Sequence, residues 1–266
     1  MEDSPLGTTV NDAHWSFFLP TGPEVSLLEL GSGTGERCCR LARGCGRVET
    51  LSFSEEQVRA VTDRARSSGL DNVHASRYRP GLPLEFDDGT FDALVVDRIL
   101  GYPSFYSGDG GTARAVERLV AETFRVLATG GVLYVGVENR LHHLLGLAAV
   151  FGALRKSAVR RDSGLEANLR ALGNRGRARR LTLGAALRIL RSTGFSDVRA
   201  FAPLPDALRP QAVVSLGGRE SQRFLFRQRV RRHSFQTRAA AMLGRVAVAT
   251  GFLRRVVPYY YLVASK

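Results

Sequence analysis

The chain has 266 residues, and 44% of them are hydrophobic, which is enough for a large core in one domain with an elaboration. It has no run of eighteen apolar residues and no signal-peptide pattern at its start, which argues against a membrane-spanning helix and favours the cytoplasm. Cys38, Cys39 and Cys45 have neither the number nor the spacing of a disulfide framework or a zinc site, so we expect no metal.

The charge is unevenly distributed along the chain. Residues 1–139 carry 13 Lys and Arg against 20 Asp and Glu, whereas residues 140–266 carry 25 against 5. A basic half can attract a phosphate-bearing substrate, nucleic acid or an anionic membrane surface. Because 36 of the 38 basic residues are Arg, a GC-rich codon bias explains the excess equally well.

Strands and helices alternate over the first 140 residues. Residues 1–24 are predicted to form a cap. Strands are predicted at 25–30, 48–53, 73–78, 91–97 and 132–137, with helices at 36–43, 54–69 and 112–128. Ser54 has the character of an N-cap residue with acidic residues after it. Buried Val- and Leu-rich strands separated by helices indicate a parallel sheet with right-handed crossovers.

The remaining residues divide into two parts. Residues 141–181 are predicted to be an apolar helix followed by an Arg-rich segment, forming an insertion or lid. Residues 182–266 continue the domain of residues 25–140, with a helix at 182–193, a strand at 197–202, a helical insertion at 235–253 and a closing strand at 259–264.

Three glycines lie between the first strand and the first helix. Gly31, Gly33 and Gly35 follow Glu29, and glycine there lets a nucleotide-like ligand lie against bare backbone. The spacing differs from the G-x-G-x-x-G fingerprint of dinucleotide-binding proteins. The run from Leu28 to Gly35 resembles the first motif of class I methyltransferases, which use S-adenosylmethionine.

Four more segments resemble the same family. They are the second strand with the start of its helix (48–57), the loop and fourth strand (82–97), the lead into the fifth strand (127–133) and a helix-to-strand joint (190–195). The resemblance covers residues 25–140 well and 182–266 loosely. It implies a Rossmann-like, doubly wound α/β fold with a seven-stranded sheet, mostly parallel with an antiparallel last strand, and a basic helical elaboration in the C-terminal half.

The resemblance also implies a cofactor site over the carboxyl ends of the first strands. Glu29 would orient the glycine loop or the ammonium group of the cofactor, although a carboxylate that caps backbone amides is an alternative role. The residues implied in S-adenosylmethionine binding are Glu29, Gly31, Ser32, Gly33, Gly35, Ser52, Phe53, Tyr78 and Asp97.

One position departs from the family pattern. The family ends its second strand with an acidic residue that binds both ribose hydroxyls, and Ser52 stands there instead. The loss of a charge-assisted hydrogen bond weakens binding by about tenfold to a hundredfold. Glu55 could compensate from the following turn, and Tyr78 could either stack on adenine or pack edge-on in the core.

Methyl transfer to a hydroxyl needs alignment of the acceptor and benefits from a base. The candidate catalytic residues are Asp97, at the end of the fourth strand, and His142, at the start of the next predicted helix. Asp97 is followed by Arg98-Ile99-Leu100, which is not the Asn/Asp-Pro-Pro-aromatic signature of amino-directed nucleic-acid methyltransferases, so nucleic acid is not the expected acceptor.

The sequence therefore predicts a methyltransferase that acts on a small molecule, with O-methylation in secondary metabolism or on a cell-surface sugar. Two alternatives stay open. The Ser52 departure is compatible with a non-catalytic cofactor-binding or scaffold protein on the same fold. The basic half and the amphipathic stretches at 141–156 and 236–255 are compatible with an RNA- or membrane-associated methyltransferase.

Overall fold

The computed structural model describes residues 17–79, 81–97, 99, 111–139, 181–204, 210, 212–218, 220–221, 223–224, 257 and 259–266. Most of the predicted cap (1–24), the predicted insertion or lid (141–181) and the predicted helical insertion (235–253) lie outside the described residues. His142 and the two amphipathic stretches lie outside them as well.

Eight strands and four helices define the described fold. The strands are β1 (Gly22–Leu30), β2 (Cys45–Ser52), β3 (Val73–Arg77), β4 (Phe91–Asp97), β5 (Leu127–Glu138), β6 (Ser196–Leu204), β7 (Ala212–Ser215) and β8 (Tyr259–Ser265). The helices are α1 (Glu36–Ala42), α2 (Glu55–Ser67), α3 (Gly111–Val126) and α4 (Leu183–Thr193).

All eight strands form one sheet in the order β3-β2-β1-β4-β5-β8-β6-β7. The first five positions are parallel, and β8 is antiparallel to both β5 and β6. The Rossmann-like fold and its antiparallel last strand are thus confirmed. The predicted count of seven strands is wrong by one, because β7 is a short additional strand that pairs with β6 at the edge of the sheet.

The two faces of the sheet bury different sets of side chains. Alternate residues of the central strands face α3 and α4 on one side, where Leu28, Leu94 and Tyr260 are fully buried. The residues between them face α1 and α2 on the other side, where Leu27 and Val95 are buried. Such two-sided burial is what a parallel sheet covered by helices requires, and it fixes which side chains reach the carboxyl edge.

Local sequence explains where the helices begin. The Ser54 hydroxyl accepts a hydrogen bond from the Gln57 amide at 3.2 Å, so the predicted N-cap of α2 is confirmed. Thr182 caps α4 in the same way, through the Ala185 amide at 3.2 Å. At the start of α1, Gly35 is in the left-handed conformation, with φ +84°.

Candidate active site

The carboxyl ends of β1, β2 and β4 meet where the glycine loop joins β1 to α1. Glu29 of β1 pairs in register with Thr50 of β2 on one side and Val95 of β4 on the other. Ser52 and Asp97 are the last residues of β2 and β4. Parallel strands place these ends at one edge, which is where open α/β sheets bind ligands.

The three loop glycines have different surroundings. A Cβ atom at Gly31 would lie 3.1 Å from Ile99 and 3.2 Å from Phe53, and one at Gly35 would lie 3.0 Å from the Val61 Cα of α2. Gly35 therefore allows α1 and α2 to pack closely. At Gly33, which has φ +65°, a Cβ would meet no atom within 4 Å among the described residues. Gly33 is the loop position that leaves backbone open to a ligand.

Glu29 is a fully buried carboxylate at this edge. Its Oε1 atom lies 3.0 Å from Nε of Arg37, which forms an ion pair with it. Burial raises the pKa of Glu29 above its ordinary value of 4.5, and the Arg37 guanidinium opposes that rise. The Glu29 carboxyl therefore loses its proton at a pH higher than its ordinary pKa of 4.5.

Arg37 joins three acceptors from different elements. Besides the Glu29 ion pair, it donates to the Gly31 carbonyl at 3.0 Å through one terminal nitrogen and to Asp97 Oδ2 through the other. The other carboxylate oxygen of Asp97 accepts a hydrogen bond of 2.7 Å from the hydroxyl of Tyr259. This cluster, which we call the Arg37 network (Glu29, Gly31, Arg37, Asp97 and Tyr259), links β1, α1, β4 and β8.

The sequence analysis identified Glu29, Gly31 and Asp97 but missed Arg37 and Tyr259. One signal for Arg37 was available, because residues 37 and 41 share a helix face and Leu41 is apolar. A cation on a buried helix face needs acidic partners, and Glu29 and Asp97 are those partners.

Two polar groups near the end of β2 are buried. The hydroxyls of Thr50 and Ser52 have no hydrogen-bond partner among the described residues, whereas the buried Ser32 hydroxyl, in the glycine loop, lies beside the Glu29 carboxylate. Glu55, the proposed substitute for the missing acid, is largely exposed and lies 3.6 Å from Arg77. Buried hydroxyls with unused hydrogen-bonding capacity are costly unless something else completes them.

Phe53 and Tyr78 lie together beside this edge. Their rings meet edge to face, with centroids 6.0 Å apart, and both side chains are buried. Burial raises the pKa of Tyr78 to about 12, and the Glu122 carboxylate adds to that rise. The structure thus shows the edge-packing role that the sequence analysis left open for Tyr78.

The cysteines supply no reactive thiol to the site. All three cysteines are buried and free, and burial raises the pKa of each thiol, which keeps them unreactive.

A cleft of about 510 Å³ lies away from the glycine loop, at the opposite, amino edge of the strands. It is lined by Arg47, Leu84–Asp87, Thr90 and Arg125. In the described part of the chain, no helix is both long and apolar enough to cross a membrane.

The raised pKa of Glu29 predicts a pH dependence of stability. Because the folded protein holds this proton more tightly than the unfolded chain, the contribution of Glu29 is greatest below pH 4.5 and is lost as pH rises through its raised pKa. Glu29→Gln removes the titrating carboxyl, so its free energy of unfolding should not fall as pH rises through this range. The free energy of unfolding of the variant minus that of the wild type should therefore increase with pH.

Urea unfolding at a series of pH values from pH 4.5 upward measures this difference. Glu36→Gln, which changes a half-exposed carboxylate on α1, is the matched control and should follow the wild type. Parallel stability curves for Glu29→Gln and wild type would show that Glu29 does not titrate as its burial requires.

Comparison with known proteins agrees with this geometry. Residues 28–135, which run from β1 into β5, match a family model described as a methyltransferase domain. A solved S-adenosylmethionine-dependent methyltransferase from Methanosarcina mazei superposes with a TM-score of 0.54 at 16% identity, covering 100% of this chain and 99% of that one. Residues 28–135 are thus similar to a methyltransferase domain, and the described fold is similar to that of a solved S-adenosylmethionine-dependent methyltransferase.

Two curated relatives are similar over part of their length. A 27-O-demethylrifamycin SV methyltransferase from Amycolatopsis mediterranei (strain S699) is 27% identical over 153 residues, 56% of each chain. A norajmaline N-methyltransferase from Rauvolfia serpentina is 23% identical over 117 residues, 44% of this chain and 37% of that protein. The chain therefore spans about half or less of the relatives it matches.

The residues present fit S-adenosylmethionine, the cofactor that the resemblance implies. The open backbone at Gly33 provides the surface against which a nucleoside can lie. The buried hydroxyl of Ser52 can complete its hydrogen bonding with a polar ligand. Two carboxylates at the same edge, Glu29 and Asp97, share the guanidinium of Arg37.

Proposed function

We propose that the protein transfers a methyl group from S-adenosylmethionine to a small molecule. The observation that carries this proposal is the loop between β1 and α1, where Gly33 leaves open backbone four residues after the buried carboxylate of Glu29. The family model and the activities named for the two curated relatives support it.

The cofactor would lie along the carboxyl edge of β1, β2 and β4. In this proposal the backbone from Gly31 to Gly35 supports it, Glu29 and Asp97 attract its positive groups, and Ser52 contacts a ribose hydroxyl. Phe53 and Tyr78 border the nucleoside. When bound, S-adenosylmethionine supplies a methyl group attached to a positively charged sulfur atom.

Asp97 is better placed to stabilise a positive charge than to remove a proton from the acceptor. Both of its carboxylate oxygens already accept hydrogen bonds, one from Arg37 and one from Tyr259. We therefore propose that Asp97 stabilises positive charge beside the reacting methyl group. His142 remains the proposed base for an acceptor that must lose a proton.

We propose a hydroxyl oxygen as the acceptor atom. The name of the rifamycin relative supports an oxygen acceptor, whereas that of the alkaloid relative specifies nitrogen. Incubation with methyl-labelled cofactor and matched hydroxyl and amine acceptors would separate the two, since only the hydroxyl compounds should become labelled.

We also propose that the protein is located in the cytoplasm. Its three buried cysteines, which form no disulfide, support that location.

A second candidate function is cofactor binding without transfer. The observation in its favour is Ser52 at the end of β2, a fully buried serine at the position where the family resemblance implies an acidic residue that binds both ribose hydroxyls. This candidate predicts binding of S-adenosylmethionine without turnover on any acceptor.

Isothermal titration with S-adenosylmethionine and S-adenosylhomocysteine tests the cofactor assignment. We expect saturable heat with both compounds and none with adenosine diphosphate as a control, because the carboxylates of Glu29 and Asp97 lie at this edge. The absence of heat with either adenosyl compound would refute both candidate functions.

A further inference from the structure

The carboxylate of Asp97 is held from both sides. Arg37 donates to Oδ2 from the glycine-loop side, and the Tyr259 hydroxyl donates to Oδ1 at 2.7 Å from the side of the last strand. Tyr259 is the first residue of β8 and pairs with Glu138, at the carboxyl end of β5. The last strand, β8, thereby places the Tyr259 hydroxyl at the carboxyl edge of the parallel strands.

Gly136 provides the space in which this contact forms. It is the register partner of Asp97 on β5, and a Cβ atom there would lie 1.9 Å from Asp97 Oδ1 and 2.7 Å from the Tyr259 oxygen. Gly136 is not among the glycines with positive φ, so its backbone does not require glycine. The lack of a side chain at residue 136 therefore serves the Asp97–Tyr259 contact.

The hydroxyl of Tyr259 fixes an otherwise variable torsion. The terminal torsion of an aspartate side chain has broad preferences, so packing alone orients the carboxylate weakly. With one oxygen bound to Tyr259, the other is directed at Arg37, which also contacts the Gly31 carbonyl and Glu29. A change at Tyr259 is thus transmitted to the glycine loop through two charged groups.

We propose that Tyr259 is a positioning residue that orients Asp97, through its hydroxyl, for binding of the cofactor. The inference rests on the proposed function, because it assigns Asp97 to the cofactor site. It makes β8 a determinant of cofactor affinity, although Tyr259 itself lies 162 positions from Asp97 in the sequence.

Tyr259→Phe tests the hydroxyl while keeping the ring. The Tyr259 ring packs edge-on against Tyr261 with centroids 5.5 Å apart, and phenylalanine preserves that contact. Tyr260→Phe is the matched control. Tyr260 is the next residue, is fully buried, and donates its hydroxyl to the Leu181 carbonyl at 3.1 Å on the opposite face of the sheet. Tyr259→Phe loses a buried hydrogen bond to a carboxylate and Tyr260→Phe loses a part-buried one to a backbone carbonyl, so both variants should have a lower Tm than wild type.

The measurement is the affinity for S-adenosylhomocysteine by calorimetry, together with Tm. We expect Tyr259→Phe to bind about five- to tenfold more weakly than wild type, which is less than the loss of a direct charge-assisted hydrogen bond to the ligand would cause because Tyr259 acts through Asp97, and Tyr260→Phe to bind within about twofold. Gly136→Ala, which displaces the same carboxylate, should weaken binding at least as much as Tyr259→Phe.

The outcomes separate this inference from the proposed function. If wild type binds S-adenosylhomocysteine and Tyr259→Phe binds it equally well, the positioning role is refuted and the proposed function stands. If both phenylalanine variants weaken binding equally, Tyr259 contributes stability alone and the inference is again refuted. If wild type gives no heat, the proposed function fails and the inference fails with it.

Discussion

Gly33→Ala should abolish most of the cofactor affinity while lowering stability only modestly. A Cβ atom at Gly33 points into open space, which the proposal assigns to the cofactor, so the added methyl group would push the ligand away. Binding of S-adenosylhomocysteine should weaken by more than about tenfold. The left-handed backbone, with φ +65°, should also cost the folded protein about 1–2 kcal/mol.

Gly69→Ala is a closely matched control for the backbone effect. Gly69 follows α2, has φ +66°, and a Cβ there also meets no described atom within 4 Å. The two variants should therefore lose similar stability in urea unfolding, and only Gly33→Ala should lose affinity in calorimetry. Equal affinity of both variants and wild type would show that no ligand lies against Gly33.

Arg37→Met should be the most damaging single change in the Arg37 network. It leaves two buried carboxylates, Glu29 and Asp97, without their shared cation. Removal of one partner from a buried ion pair costs about 3–5 kcal/mol, although protonation of Glu29 reduces that cost. The loss of stability should be smaller at acidic pH, because Arg37 is a group that lowers the pKa of Glu29 in the wild type.

Arg40→Met on the same helix is the control for Arg37→Met. Arg40 lies 3.5 Å from Glu36, a half-exposed residue one turn earlier, and such surface pairs contribute about 0.5 kcal/mol or less. Urea unfolding at neutral and acidic pH compares the two variants. If Arg37→Met were as stable as Arg40→Met at neutral pH, the buried carboxylates would not depend on Arg37.

Strongly patterned elements could be predicted from the sequence. The bounds of β4, at Phe91–Asp97, agree with the prediction residue for residue, because a continuous buried run is flanked by turn residues. The start of β5 was predicted too late. Gly130 and Gly131 indicated a turn, but the strand begins at Leu127 and includes Gly130 with φ +80°. β7 was missed because four residues at an exposed edge carry little periodicity.

The candidate site was predictable where it is local in sequence. Glu29 and the glycine loop lie within seven residues of one another and follow a strand, so one motif identified them. The contact between Asp97 and Tyr259 joins residues 162 positions apart. Both faces of β8 are apolar or aromatic, so no alternation in the sequence indicates which of its tyrosines faces the site.

A crystal structure of the protein grown with S-adenosylhomocysteine tests the central claim most directly. The account predicts electron density for the nucleoside and amino-acid parts over Gly33, between the carboxyl ends of β1 and β4, within contact of Asp97. Density at a different edge of the sheet, or a Gly33 surface covered by side chains from the same chain, would contradict it.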